Sequence, residues 1–136
     1  MIYFVLAATT NLIKVGVTSQ SVQSRISALQ TACPFDLVLL GTVDGGEVQE
    51  AAIHRSWAEH HERGEWFRAT DETLRAIAAR TTLKRYDAAD FDQNTRTILG
   101  KIRVLEIIES LGPTAAGALA DAFENGNVAP PAWFGA

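Results

Sequence analysis

The stretch that decides the fold is Ile2-Tyr3-Phe4-Val5-Leu6-Ala7-Ala8, then Thr9-Thr10-Asn11, then Leu12-Ile13-Lys14-Val15-Gly16-Val17. The first run is apolar, β-branched and aromatic, the composition of a buried strand. Thr9-Thr10-Asn11 has turn chemistry, and Leu12 to Val17 reads as a second strand, so the whole is a hairpin. The two-residue strand period puts Lys14 and Gly16 on one face and Ile13 and Val15 on the other. A lysine inside an apolar strand is costly to bury unless it is paired or used. Lys14 is therefore marked out; its plainer alternative is an edge residue reaching water.

Working outward, Ser19 or Ser21 can cap a helix that runs to about Thr31, with Val22, Ile26 and Leu29 at helical spacing. Arg25 borders that stripe and can reach over the sheet. Pro34 ends the element, residues 37–43 read as a third strand, and Asp44-Gly45-Gly46 as the turn after it. A long helix is expected from about Glu47 to Glu62, with Glu50 and His54 one turn apart and His61 on roughly the same face. Gly64 is expected to stop it. Glu65-Trp66-Phe67-Arg68 reads as a short strand or extended segment. Thr70-Asp71 then caps a helix over about 71–80, with Leu74, Ile77 and Ala78 inward.

The core order is ββαβα, which implies an α/β fold: a small three-stranded antiparallel sheet flanked by helices. Residues 1–80 form this domain. The polar stretch 81–97 reads as a linker, and 98–136 as a C-terminal helical appendage, a hairpin of helices with a tail. Its first helix, 98–111, carries Ile98, Ile102, Leu105, Ile108 and Leu111 on one stripe. Gly112-Pro113-Thr114 breaks it before an Ala-rich helix to about Glu124. The hairpin packs on the core or on a second copy, and an apolar stripe left exposed there would serve a homodimer.

The chain has 136 residues, 47% of them apolar, enough for a modest single core. A net charge of -4 argues against a strongly basic nucleic-acid coat but leaves room for a local basic patch. Cys33 is the single cysteine, so no intramolecular disulfide can form. The apolar start lacks a basic leader region and is too short to span a membrane. A cytoplasmic protein without membrane partners is the expectation.

In that order Tyr3, Ile13-Lys14-Val15-Gly16, Arg25, Leu29-Gln30-Thr31 and Gly64-Glu65-Trp66-Phe67 resemble the GIY-YIG nuclease superfamily, in its compact phage and bacterial branch. The resemblance covers about residues 1–80. It implies a divalent-metal-dependent endonuclease that hydrolyses DNA phosphodiester bonds. By position, Tyr3 matches the tyrosine of the first motif, Lys14 that of the second, Arg25 the helix arginine and Glu50 the metal-binding glutamate. Glu65 falls near a position where many members carry asparagine, and is a candidate second acid. Met1 precedes Ile2 where the first motif has its glycine.

The chemistry needs a base, a charge stabiliser and a cation. Mg²⁺ or Mn²⁺ takes oxygen ligands and keeps several waters, so Glu50 alone can suffice; its plainer reading is a solvated helix glutamate. Tyr3, with a free phenol pKa near 10, needs a neighbouring cation to act as a base, and Lys14 is that neighbour; otherwise Tyr3 is a core aromatic. Arg25 would clamp a phosphate oxygen, and His54 would contact phosphate or protonate the leaving group. Lys14, Arg25, Arg55 and Arg68 are the cations expected on DNA. Zinc is disfavoured, because His54, His60 and His61 lack a zinc spacing. Trp66 and Phe67 are expected as core plugs rather than base-stacking rings. The alternative function is a catalytically silent domain of the same fold that binds nucleic acid or a protein.

Overall fold

The computed structural model describes residues 1–84, 86–87 and 90–111. β1 (Ile2–Ala7) and β2 (Leu12–Val17) pair antiparallel, with Tyr3 opposite Gly16 and Val5 opposite Lys14. Thr9 turns the chain at φ 69°. The Thr10 hydroxyl donates to the Ala7 carbonyl at 2.7 Å and accepts from the Leu12 N–H at 3.1 Å. β3 (Leu37–Val43) pairs with the other side of β1.

The sheet is larger than the three-stranded one expected from the sequence. β4 (His61–Arg63), β5 (Trp66–Arg68) and β6 (Thr82–Leu83) extend it to six strands in the order β4-β5-β2-β1-β3-β6. β5 falls in the segment 65–68 expected to be a short strand or extended, whereas β4 and β6 are too short to carry a readable alternation. β5 and β6 form because β2 and β3 offer them a ladder edge, and β4 pairs in turn with β5.

Alternation sorts the hairpin as the period requires. Ile2, Phe4, Leu6, Ile13 and Val15 enter one core with Val38, Leu40, Trp57, Phe67, Leu74 and Ile77. Tyr3, Val5 and Lys14 fall on the other face. α1 (Val22–Gln30) contacts β3 and places none of its residues in that core. The Ser21 hydroxyl caps it by accepting from the Ser24 N–H at 3.1 Å. The Gln30 side chain accepts from the Leu37 N–H at 2.8 Å and donates to the Phe35 carbonyl at 2.9 Å, fixing the return to β3.

α2 (Glu47–Ser56) ends well before Glu62. At Trp57 the backbone leaves helical geometry, and the indole is buried between Phe4 and Phe67, with ring centroids 5.8 and 5.7 Å away. A 3-10 turn (Ala58–His60) leads into β4. His61 is therefore not on the face of His54; it sits in β4 with its ring against Phe67 and its Nε2 on the Gly64 carbonyl. Gly64 does not stop a helix. Its φ of 55° makes the tight β4–β5 turn, a conformation glycine adopts without strain.

α3 (Asp71–Arg80) is capped by the Thr70 hydroxyl and buries Leu74, Ile77 and Ala78, as its stripe requires. In the stretch 81–97, β6 pairs with Gly41 and Thr42, and α4 (Gln93–Leu111) begins. The early start follows from Asp92, whose carboxylate accepts from the Thr95 N–H at 3.1 Å and its hydroxyl at 2.7 Å. α4 packs on α3, and Ile98 and Ile102 join the core. The Ala-rich second helix, the tail and the homodimer expected through them lie outside the described residues. Among the described residues no helix is long and apolar enough to cross a membrane.

Candidate functional site

The site is built where the sheet opens beside β2. β5 covers only Leu12 to Lys14 of that strand. At Glu65 the chain turns away, after its carbonyl accepts from the Val15 N–H at 3.1 Å. The Val15 carbonyl then has no strand partner on that side. His54 takes the place: its Nε2 lies 3.1 Å from the Val15 oxygen. A carbonyl only accepts, so this geometry assigns the Nε2 proton to His54. The imidazole also packs on Phe67, ring centroids 5.2 Å apart. Burial of Trp57 and this one bond together hold α2 against the open strand.

Glu50 stands one turn before His54. Its Oε1 is 3.9 Å from His54 Nε2, while Oε2 is buried with no hydrogen-bond partner among the described residues. Only 13% of the Glu50 side chain is exposed. Burial pushes its pKa above the ordinary carboxylate value, and the nearby Glu65 charge pushes the same way; His54 and Lys14 partly oppose them. Lys14 reaches Glu65 Oε2 at 2.8 Å and holds its Nζ 5.8 Å from the Trp66 ring centroid. Lys14, Glu50, His54 and Glu65 thus share one neighbourhood.

Tyr3 lies on the Lys14 face, diagonal to it across the hairpin, a spacing of about 7–8 Å. Its ring covers Gly16 so closely that a Cβ there would fall 2.2 Å from the phenol oxygen. The glycine of Lys14-Val15-Gly16 is needed for this contact. Tyr3 is 1% exposed.

Arg25 is exposed and stands in an adjoining cleft of about 520 Å³, lined also by Val17, Thr18, Gln20, Gly46 and Glu47. Glu47 is one turn from Glu50, so the cleft abuts the cluster without containing it. Arg25 makes no ion pair among the described residues. Arg55 is exposed on α2 and is not brought to the cluster. Arg68 is committed elsewhere. Its guanidinium donates to the carbonyls of Glu59 at 2.6 Å and His61 at 3.2 Å, and to the Glu62 carboxylate at 3.2 Å. It staples the 3-10 turn to the sheet rather than facing a ligand. Phe67 is a core ring, as expected, but Trp66 is half-buried on the opposite face. Sequence reasoning placed Glu65 near the site but did not pair it with Lys14, since no spacing rule links residues that only the β2–β5 register brings together.

A divalent cation fits this chemistry. Glu50 offers a buried carboxylate oxygen that no group among the described residues satisfies, and a second carboxylate, Glu65, raises the local negative charge. Oxygen donors of this kind suit Mg²⁺ or Mn²⁺. Among the described residues no group of three or more His, Cys, Asp or Glu side chains is arranged to hold a metal, so most ligands would be water or phosphate. His60 is engaged by Glu72 at 2.8 Å, and His54 and His61 by backbone carbonyls.

The model of the family described as the T5orf172 domain matches residues 1–82. No curated protein and no solved structure matches the chain.

Proposed function

We propose, on the premise that this chain belongs to the T5orf172 domain family, that it is a divalent-metal-dependent DNA endonuclease of the GIY-YIG type. The family is nuclease-like and DNA-binding. The observation that carries the finer reading is the orphaned, buried Oε2 of Glu50 beside the Lys14–Glu65 pair. A folded protein leaves a charged buried oxygen unsatisfied only at a cost, and such groups mark functional sites.

In this reading Glu50 would hold the cation, with Glu65, paired to Lys14, as a second carboxylate beside it. A bound Mg²⁺ or Mn²⁺ would supply charge neutralisation at the phosphate and the leaving oxygen. Arg25, without an ion pair among the described residues, binds a non-bridging phosphate oxygen from the adjoining cleft. Tyr3, diagonal to Lys14 across the hairpin, is the residue assigned to take a proton from the attacking water. Water adds to phosphorus, the bond to one deoxyribose oxygen breaks, and a solvent proton caps that oxygen. His54 does not touch substrate here; its Nε2–H is spent on Val15, and it acts by fixing the helix that presents Glu50.

The test is plasmid nicking with Mg²⁺ or Mn²⁺ for wild type, Glu50→Ala and Arg25→Ala. The proposal expects nicking that both substitutions abolish. Equal inertness of wild type and variants across several DNA substrates would sink it. One observation favours a second reading, a silent DNA-binding domain: Tyr3 is 1% exposed and hard for a substrate water to reach. That reading expects DNA binding by wild type with no metal-dependent cleavage.

A further inference from the structure

We propose that the sheet face running from Lys14 through Trp66 to Arg63 binds an unpaired stretch of DNA, with Trp66 stacking on a base and Arg63 on a phosphate. The proposal rests on the nuclease reading and specifies which form of DNA that site prefers. Strand register carries it. Lys14 is opposite Trp66 in the β2–β5 pair, and Arg63 is opposite Trp66 in the β4–β5 pair. Directly opposed residues project to the same face, so one row reads cation, indole, cation.

Trp66 is not needed as a core plug. The core takes its neighbour Phe67, while Trp66 stays half-buried on the far face with Lys14 Nζ 5.8 Å from its ring. Arg63 is exposed and makes no ion pair among the described residues. Its acidic neighbours are already engaged, Glu62 by Arg68 and Glu65 by Lys14. Arg63 is thus the cation of this row left without an ion pair among the described residues, while Lys14 and Arg68 are paired with Glu65 and Glu62. Arg63 is a locally uncompensated cation on a chain whose net charge is -4. It complements a polyanion there and nowhere requires a basic protein overall.

The occupant is set by the indole. In a duplex the base faces are already stacked, and only edges are offered in the grooves. A ring standing on a sheet can stack only on a base whose face is free, as single-strand-binding platforms do. Lys14 and Arg63 are two strand spacings apart, ~10 Å, so a base on Trp66 has a cation to either side for its flanking phosphates.

The experiment is fluorescence anisotropy of a labelled oligothymidylate and of a labelled duplex of equal length. It is run in chelator, so that binding is read without cleavage. Trp66→Leu should weaken oligothymidylate binding by roughly fivefold or more and leave duplex binding within about twofold. Trp66→Phe, which keeps a stacking ring, should restore most of it. Arg63→Ala should weaken binding and reduce the slope of log affinity against log salt by about 0.7. Circular dichroism confirms that each variant is folded. If wild type binds and Trp66→Leu binds oligothymidylate unchanged, or loses both DNAs alike, the platform is refuted while the nuclease reading stands. If wild type binds neither DNA, the underlying reading fails with it.

Discussion

Replacing Glu50 by glutamine should make the metal-free protein more stable at neutral pH. The side chain is 13% exposed, and one of its oxygens is buried without a partner. A buried unsatisfied polar group costs about 1–3 kcal/mol, and more when charged. Glutamine keeps the shape and the unsatisfied dipole but removes the charge, so only part of that cost is relieved. Lys14 and His54 attract the carboxylate and reduce the gain further. The expected net is ~1 kcal/mol, a rise in Tm of roughly 3 °C for a chain of this size.

The pH dependence fixes the sign. The folded-state pKa of Glu50 is raised above 4.5, first by burial and then by Glu65. A raised carboxylate favours folding in its protonated form, so its destabilising charge appears as pH rises through the folded value. The advantage of glutamine should be absent near pH 4 and complete at pH 7 or above. Scanning calorimetry in chelator across that range reads it directly. Adding millimolar Mg²⁺ or Mn²⁺ should raise the Tm of wild type and not of Glu50→Gln, because only the first binds the ion. If Glu50→Gln is no more stable than wild type at pH 7 in chelator, the carboxylate is satisfied and the argument fails.

Three further outcomes follow from the same geometry. Gly16→Ala would put a Cβ 2.2 Å from the Tyr3 hydroxyl oxygen, and overpacking of this kind should cost about 1–3 kcal/mol in urea unfolding; in a Tyr3→Leu background the added cost should largely vanish, and simple additivity would contradict the contact. His54→Ala should weaken Mn²⁺ binding measured calorimetrically, while His54→Gln, whose amide can still donate to Val15, should recover most of it; recovery by neither variant would point to a direct role for the ring. Arg68→Ala removes donors to two carbonyls and a carboxylate, and should cost about 1 kcal/mol while raising amide exchange in 58–63 first. Unchanged exchange there would mean that the hairpin holds without its staple.

Much of the fold could be read from local pattern. The hairpin faces, the third strand, and the inward set Leu74, Ile77 and Ala78 follow from strand and helix periods that neighbouring residues impose on one another, while the structure chose Ser21 over Ser19 as the cap. The long second helix could not be read correctly. Residues 57–62 have helical composition, but the core takes the Trp57 indole and the sheet edge takes the segment that follows. Tertiary burial outweighs propensities of a few tenths of a kcal/mol per residue. Arg63 was hidden by the same error, because just past a helix expected to end near Glu62 it had no strand partner. Arg68 looked like a free cation until the structure showed its three acceptors.

The sequence by itself determined the order of the main elements and the residue types that could carry the chemistry. Those follow from local periodicity and from the cost of a lysine in an apolar strand. Only the tertiary structure decided which of those residues meet. The departure of β5 at Glu65 opens the β2 edge, His54 closes it, and the closure buries one oxygen of Glu50 beside Lys14 and Glu65. Such a meeting depends on strand register and helix docking between distant segments, and no periodicity within one segment encodes either.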